Sequence, residues 1–240
     1  MISEENIIYR DDDLVAINKP CRLLVHRTDI SDEDDVFALQ LLRDLLGQRV
    51  YNAHRIDRPT SGVLLFALNN EMASMINDQF KERKMKKTYV ALVRGWFPQA
   101  TFLNYPVKNI KEVLLDAETR FNLLSKYELS IPVEPYETSR YSMVEAYPLT
   151  GRWHQIRQHL AHLRHYIIND RVHGTGAHND MFTSQLGISD LFLHAHKLQF
   201  IHPLTGKEIL IQAEFPSHWK EFQKVVEKYS MRSLSFEKYI

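Results

Sequence analysis

One acidic residue set between two arginines, followed by a turn and then a wholly apolar run, is the part of this chain best suited to chemistry. His54-Arg55-Ile56-Asp57-Arg58-Pro59-Thr60-Ser61-Gly62 leads directly into Val63-Leu64-Leu65-Phe66-Ala67-Leu68. Neighbouring guanidiniums favour the charged form of a carboxylate, so Asp57 is expected to be ionised at neutral pH and able to act as a nucleophile. The same guanidiniums suit a grip on phosphates. Taken alone, an R-x-D-R string is explained as well by a surface turn closed by an ion pair.

The elements that must position this string are legible from periodicity. Leu14-Val15-Ala16-Ile17-Asn18 reads as a short buried strand broken by Lys19-Pro20. Val36 to Leu46 has helical spacing, with Gly47 as its stop. Val63 to Leu68 is a strand, and Glu71 to Arg83 is an amphipathic helix whose methionines, Met72 and Met75, fill core. Thr88 to Val93 is a further strand. Thr119 to Tyr127 and Arg140 to Tyr147 form two more, separated by Ile131-Pro132-Val133-Glu134-Pro135, whereas residues 97–116 show no clear pattern.

Pro148-Leu149-Thr150-Gly151 turns into a helix over about 153–165, and the same tetrapeptide at 203–206 reads as a hairpin turn between Leu198–Ile201 and Ile209–Gln212. A last helix, His218 to Tyr229, turns Trp219, Phe222, Val225 and Val226 inward. Strands at hairpin spacing mixed with isolated helices indicate an α+β fold with a mostly antiparallel sheet. With no low-complexity linker, residues 1–240 are expected to form a single catalytic domain without an appended binding module.

Composition bounds the class. Of 240 residues, 44% are hydrophobic and 25% charged, ordinary for a globular protein, and no apolar run is long enough to span a membrane. The acidic start Met1-Ile2-Ser3-Glu4-Glu5-Asn6 does not look like a secretory signal, and one cysteine, Cys21, cannot form an internal disulfide, so a cytoplasmic protein is expected. The formal net charge is zero but unevenly spread: residues 1–35 hold ten acids and four bases, which leaves the remainder at +6. Lys81-Glu82-Arg83-Lys84-Met85-Lys86-Lys87 is the densest basic run. It is either a local phosphate-facing surface or a solvated helix end.

The nine-residue string resembles the H-R-L-D-x-x-T-S-G signature of the RluA-type pseudouridine synthases, with Ile56 at the leucine position. Three further strings carry the resemblance over most of the chain. Leu14 to Pro20 is similar to the family's strand before the active site, though the usual glycine after the proline is missing. Lys87-Thr88-Tyr89-Val90-Ala91-Leu92-Val93-Arg94-Gly95 matches K-x-Y-x-A-x-V-x-G, and Leu149 to Leu160 matches T-G-R-x-H-Q-(I/L)-R-x-H-L. Ile167-Ile168-Asn169-Asp170 resembles P-I-x-G-D but has Tyr166 and Asn169 where proline and glycine are common, a departure assigned to the loop after the helix rather than to the chemistry.

The resemblance implies the pseudouridine synthase fold, a mixed sheet flanked by helices around a central active-site cleft. It implies the isomerisation of a uridine in RNA to pseudouridine without metal or other cofactor. Asp57 would be the nucleophile, Tyr89 the ring that packs on the uracil and takes part in proton transfer, and Arg157 the partner of the aspartate. Ile156 would touch the base, Arg55 would fill the gap left by the flipped uridine, and His54, Arg58 and Thr60 complete the RNA-facing set. Attack at C1′, attack at C6 and a glycal route all remain open. Leu24-Val25-His26-Arg27, Asp57 to Leu65 and His159 to Leu163 resemble in detail the members that modify uridine 65 in the T-stem of tRNA, with a ribosomal RNA target as the alternative; a monomer with no protein partner is expected.

Nine of twelve histidines lie between His154 and His202, and His159, His162 and His165 share i,i+3 spacing on the expected helix. Histidines so spaced can ligate zinc. That helix, however, offers no H-E-x-x-H, no cysteine pair and no carboxylate, so core or RNA-facing roles are expected. Two further readings compete with catalysis by Asp57: a non-catalytic RNA-binding protein and a metal-dependent hydrolase. Cys21 lacks the basic surroundings of a nucleophilic thiol.

Overall fold

The computed structural model describes residues 2–26 and 36–235. Arg27 and the acids from Asp29 to Asp35 lie outside the described residues. In chain order the elements are β1 (Ile7–Arg10), β2 (Leu14–Lys19), α1 (Ala38–Leu46), β3 (Tyr51–Asn52), β4 (Ser61–Ala67) and α2 (Asn70–Lys81). There follow β5 (Lys86–Arg94), β6 (Ala100–Asn104), β7 (Val107–Lys108), β8 (Leu114–Leu115), β9 (Glu118–Leu129) and β10 (Ser139–Pro148). The remainder is α3 (Gln155–His162), α4 (Gly176–Asp180), β11 (Leu193–Ile201), β12 (Glu208–Gln212), α5 (Ser217–Tyr229) and β13 (Ser230–Ser235). The described strand registers are antiparallel, and the mixture of sheet and helices is the expected α+β class. The chain divides into two compact units, Met1–Lys87 with Ala195–Glu214, and Thr88–His194 with Phe215–Ile240.

The first unit is organised on β4, all seven of whose residues are buried. A strand covered on both faces reads as one continuous apolar run, which is why Val63 to Leu68 carries no alternation. β2 pairs with β4 and β1 with β2, β3 pairs with the far end of β4, and β12 pairs with β11. Helix α2 packs on this layer through Met72, Ala73 and Ile76, and the Asn69 side chain caps it by accepting from the Met72 N–H at 2.8 Å. Gly47, at φ 63°, supplies the left-handed residue that ends α1.

Gly62 is the tightest point of this layer. A Cβ there would lie 2.3 Å from the Ala195 carbonyl oxygen and 2.7 Å from both the Ala195 nitrogen and carbonyl carbon, and φ is 111°. Both the backbone conformation and the approach of β11 therefore demand glycine. Gly62→Ala is expected to cost roughly 3 kcal/mol or more, because no flexible side chain can yield. Urea unfolding of wild type and variant checks this; equal midpoints would overturn it.

In the second unit the sheet runs β5-β10-β9-β13, with β6 on β9. β9 and β10 form a long hairpin with a register shift at Met143/Val144. The stretch without clear sequence pattern, 97–116, holds β6, β7 and β8. β6 alternates exposed and half-buried residues over only five positions between Pro98 and Pro106, too short and too weakly amphipathic to stand out. The core gathers Phe97, Phe121, Tyr141, Phe182, Phe192, Trp219 and Phe222, with Val225 and Val226 packed against it as expected for α5.

Helix α3 is shorter than the 153–165 expected. His154 enters it in the left-handed region (φ 51°, ψ 24°), and Arg164 leaves with φ 61°. The Gly-, His- and Asn-rich stretch beyond residue 170 forms α4 and a π-helical turn, Met181–Gln185, that buries Met181 and Phe182.

Candidate active site

Asp57 sits on the loop between β3 and β4, and its carbonyl accepts the Thr60 N–H at 3.0 Å. The turn closed by this bond delivers Ser61 and Gly62 into β4, so Asp57 lies just before the wholly buried strand of its unit. Arg55 is exposed. Arg58 turns its Nε to the Arg22 carbonyl, 3.1 Å away, and so helps to tie the loop down. Thr60 is 1% exposed, and its Oγ1 has no hydrogen-bond partner among the described residues.

A buried cation beside this loop is one to which the sequence reading gave no site role. Lys19, at the end of β2, is fully buried, and its Nζ donates to the carbonyls of Pro20 (2.9 Å), Leu23 (2.9 Å) and Arg58 (3.1 Å). Three acceptors match the three donors of an ammonium. Burial pushes its pKa down to about 7, against the opposing pull of Cys21 and Asp57. Through the Arg58 carbonyl it pins the residue next to Asp57. The available signal was Lys-Pro at the end of an apolar strand, because a lysine forced inside must collect oxygens around it.

His54 turns towards the protein. Its Nε2 accepts the Leu65 N–H at 3.0 Å, and its ring stacks on Phe80 with centroids 4.9 Å apart. An acceptor Nε2 requires the neutral ring. Burial, helped by Lys87, lowers its pKa to about 3. The sign follows: between pH 6.5 and about 3 the unfolded chain binds a proton that the folded one refuses, so stability is complete above 6.5 and falls on acidification. One such group adds about 1.4 kcal/mol of destabilisation per pH unit in that window. His54→Gln, which offers a neutral acceptor, is expected to flatten the stability curve between pH 6.5 and 4.5 by about one proton. Urea titrations at several pH values measure this, and parallel curves for the two proteins would refute it.

The basic run following α2 is not one uniform surface. Lys81 pairs with Asp78 at 2.8 Å and Lys84 with Glu82 at 2.6 Å, both exposed. Lys87 is half-buried, and burial together with Arg83 lowers its pKa to about 8.

In the second unit, the T-G-R-x-H-Q-x-R-x-H string resolves into a hydrogen-bonded network and one buried ion pair. Gln155 accepts from the Thr150 hydroxyl (2.6 Å) and the Arg152 N–H (3.0 Å), and donates to Thr119 Oγ1 (2.9 Å) and the Glu118 carbonyl (2.9 Å). His159 Nε2 lies 2.8 Å from the Tyr105 carbonyl, so it carries the hydrogen, which leaves Nδ1 to accept from Thr119 Oγ1 at 2.9 Å. The helix is thus fixed to β9 through buried, satisfied polar groups.

Arg157 is the buried charge of the string. It is 3% exposed and grips Asp170 with Nε and Nη2, each at 2.7 Å. Burial alone would raise the Asp170 pKa; the Arg157 hydrogen bonds and charge, with the backbone N–H groups of Val172 and His173, outweigh it and hold the carboxylate low. A guanidinium held along its Nε edge has its orientation fixed. The sequence reading gave Asp170 no role; its carboxylate is a counter-ion of Arg157. The general signal was available: a buried arginine requires a carboxylate.

Asn169 stands at φ 62°, a conformation asparagine tolerates nearly as glycine does, which accounts for it at the family's glycine position. Asn179 accepts from the Asn169 N–H at 2.8 Å and donates to the Asp170 carbonyl at 2.9 Å, which locks the loop. Ile156, 7% exposed, joins the core. Tyr89 lies half-buried on β5 opposite Ala146.

The three histidines expected on one helix are engaged separately. His159 belongs to the buried network, exposed His162 stacks on Tyr105 at 3.7 Å between centroids, and His165, beyond the helix, holds the Arg94 carbonyl at 2.9 Å. Of the expected site residues, the first unit brings together His54, Arg55, Asp57, Arg58 and Thr60 on one loop, and the second carries Tyr89, Ile156 and Arg157.

Residues 13–162 match the RNA pseudouridylate synthase family. The chain is 43% identical over 225 residues to tRNA pseudouridine synthase C of Vibrio cholerae, which covers 89% of this chain and 92% of that one. To the enzyme of the same name from Haemophilus ducreyi it is 43% identical over 227 residues, covering 90% and 93%. Its fold is similar to that of human RNA pseudouridylate synthase domain containing 1, with a TM-score of 0.73 and 23% identity over 98% of this chain and 91% of the other. With two matching enzymes, a shared fold and a family match that spans both the Asp57 loop and the Arg157 helix, the chain belongs to the RNA pseudouridylate synthase family, whose members isomerise uridine to pseudouridine in RNA.

Proposed function

We propose that this protein converts uridine 65 in the T-stem of tRNA to pseudouridine, as a monomer in the cytoplasm, without metal or other cofactor. Asp57 is the nucleophile, Tyr89 the ring that packs on the uracil and moves a proton, and Arg157 the buried cation of the catalytic set. Ile156 contacts the base; Arg55 and Arg58, exposed on the Asp57 loop, face the RNA, while His54 and Thr60 are turned into the protein and support that loop. The reaction breaks the bond between N1 and C1′, turns the uracil in place, and joins C5 to C1′. No redox change is involved: C5 gives up its proton as it bonds to C1′ and the freed N1 takes one up, so the composition is unchanged. A carboxylate, a fixed cation and an enclosing aromatic meet those needs. A uridine within a stem must first be flipped out, at a cost of a few kcal/mol, and Arg55, exposed beside Asp57, is the side chain suited to fill the gap.

The observation that carries the reading is the pre-oriented Arg157, forked onto Asp170 out of contact with solvent, in a chain 43% identical to an enzyme named for tRNA. Carbodiimide mapping of pseudouridine on tRNA and ribosomal RNA transcripts tests it. A new stop at the T-stem uridine is the expected result. A stop confined to ribosomal RNA would replace the substrate, and no stop in any transcript would bring a non-catalytic RNA-binding role forward.

A further inference from the structure

The outer side of α3 carries aromatic stacks that the reaction does not use. At its start Trp153 lies flat on His154, with centroids 3.8 Å apart and planes 17° from parallel. His173 meets both rings edge-on and contacts His154 ring to ring, Nδ1 to Nε2, at 3.0 Å. At the end of the helix Tyr105, 43% exposed, lies on exposed His162. Gln158 lies between them: its Nε2 donates to the Trp153 and Lys108 carbonyls, and its Oε1 accepts the Lys108 N–H. His154, Gln158 and His162 follow at i, i+4 and i+8 and so share one face, the outer two about 12 Å apart along the axis.

Ring pairs that are only core filler are closed off from solvent; these reach it at Trp153, Tyr105 and His162. Their orientation is fixed from below: His159 holds the Tyr105 carbonyl, and Gln158 holds that of Trp153. Two cations flank them. Arg152 and Lys108 are both exposed, Lys108 paired with Glu112 and Arg152 bonded to the Asp116 carbonyl. Rigid, partly exposed rings among cations recognise unpaired nucleobases, because every base offers a π-face and every linker a phosphate.

We propose that this side of α3 is a second RNA subsite, where unpaired nucleotides away from the target uridine stack on the Trp153–His154 and Tyr105–His162 platforms. The proposal rests on the RNA-modifying reading and deepens it: the subsite sets affinity, not the chemical step. Stacking is uncharged, so its loss should lower affinity without changing the dependence on salt.

The test is filter binding of a tRNA transcript by Trp153→Leu, Trp153→Phe and Tyr105→Leu at several salt concentrations, with single-turnover rates at saturating RNA. Loss of one stacking platform is expected to weaken binding about 5- to 100-fold. The slope of log affinity against log salt and the saturated rate should hold at wild-type values, and Trp153→Phe should recover much of the affinity. Wild-type affinity in both leucine variants, alongside an active wild type, would overturn the subsite alone. Loss of affinity together with the saturated rate, not recovered by phenylalanine, would also overturn it, as damage to the α3 scaffold. A wild type that neither binds nor modifies any transcript would overturn the RNA-modifying reading itself.

Discussion

Asp57→Asn is expected to lose pseudouridine formation by about a thousandfold or more while tRNA affinity stays within about tenfold. The amide preserves the shape of the carboxyl group and leaves the backbone turn to Thr60 untouched, since that bond uses the Asp57 carbonyl. What disappears is the anionic oxygen, and no other group on the loop supplies one. Binding persists because contacts with phosphates dominate protein–RNA affinity, and an aspartate contributes none. Single-turnover assays on a tRNA transcript, with filter binding at fixed salt, separate the two quantities. A variant that retained even a tenth of wild-type turnover would move the nucleophile elsewhere. The substitution also takes from Lys19 one of the two groups that support its charge, so its ammonium should become a stronger acid.

Asp170→Asn is expected to be the most damaging conservative change in the second unit. It leaves Arg157, 3% exposed, with half of its fork facing an amide. Breaking a buried pair by removing one partner costs about 3–5 kcal/mol, which corresponds to a Tm about 10 °C lower in a protein of this size. The double change Arg157→Met with Asp170→Leu removes both charges of the pair and should regain most of that stability. It should not regain activity. Thermal unfolding followed by circular dichroism, with turnover on the same samples, measures both. If Asp170→Asn unfolded at the wild-type temperature, the pair would not anchor α3.

The parts of the fold written in one-dimensional patterns were legible: the continuous apolar run of β4, the spacing of α2 and α5, and the long strands β9 and β10. The expected boundaries fell within two or three residues of those observed. α3 was overextended because the backbone reverses at His154 and Arg164, residues whose side chains do not announce a left-handed conformation. β6 was missed because an edge strand with half-buried alternation leaves little signal. In the candidate site the motif strings singled out Asp57 and Arg157 but not the groups that hold them. Lys19 acts through backbone carbonyls, which have no sequence signature, and Asp170 meets Arg157 across 13 residues of helix and loop.

Lys19 also gives the molecule an internal reporter. Its amine is closed from solvent, and one of the three carbonyls around it belongs to Arg58, on the loop that carries Asp57. An amine-reactive reagent can reach Nζ only when that cage opens. The rate of Lys19 modification, set against that of an exposed lysine such as Lys81, therefore clocks how often the loop leaves its resting place. An RNA that seats on the loop should slow this clock before any chemistry occurs, so occupancy could be read even from an enzyme that does not turn over.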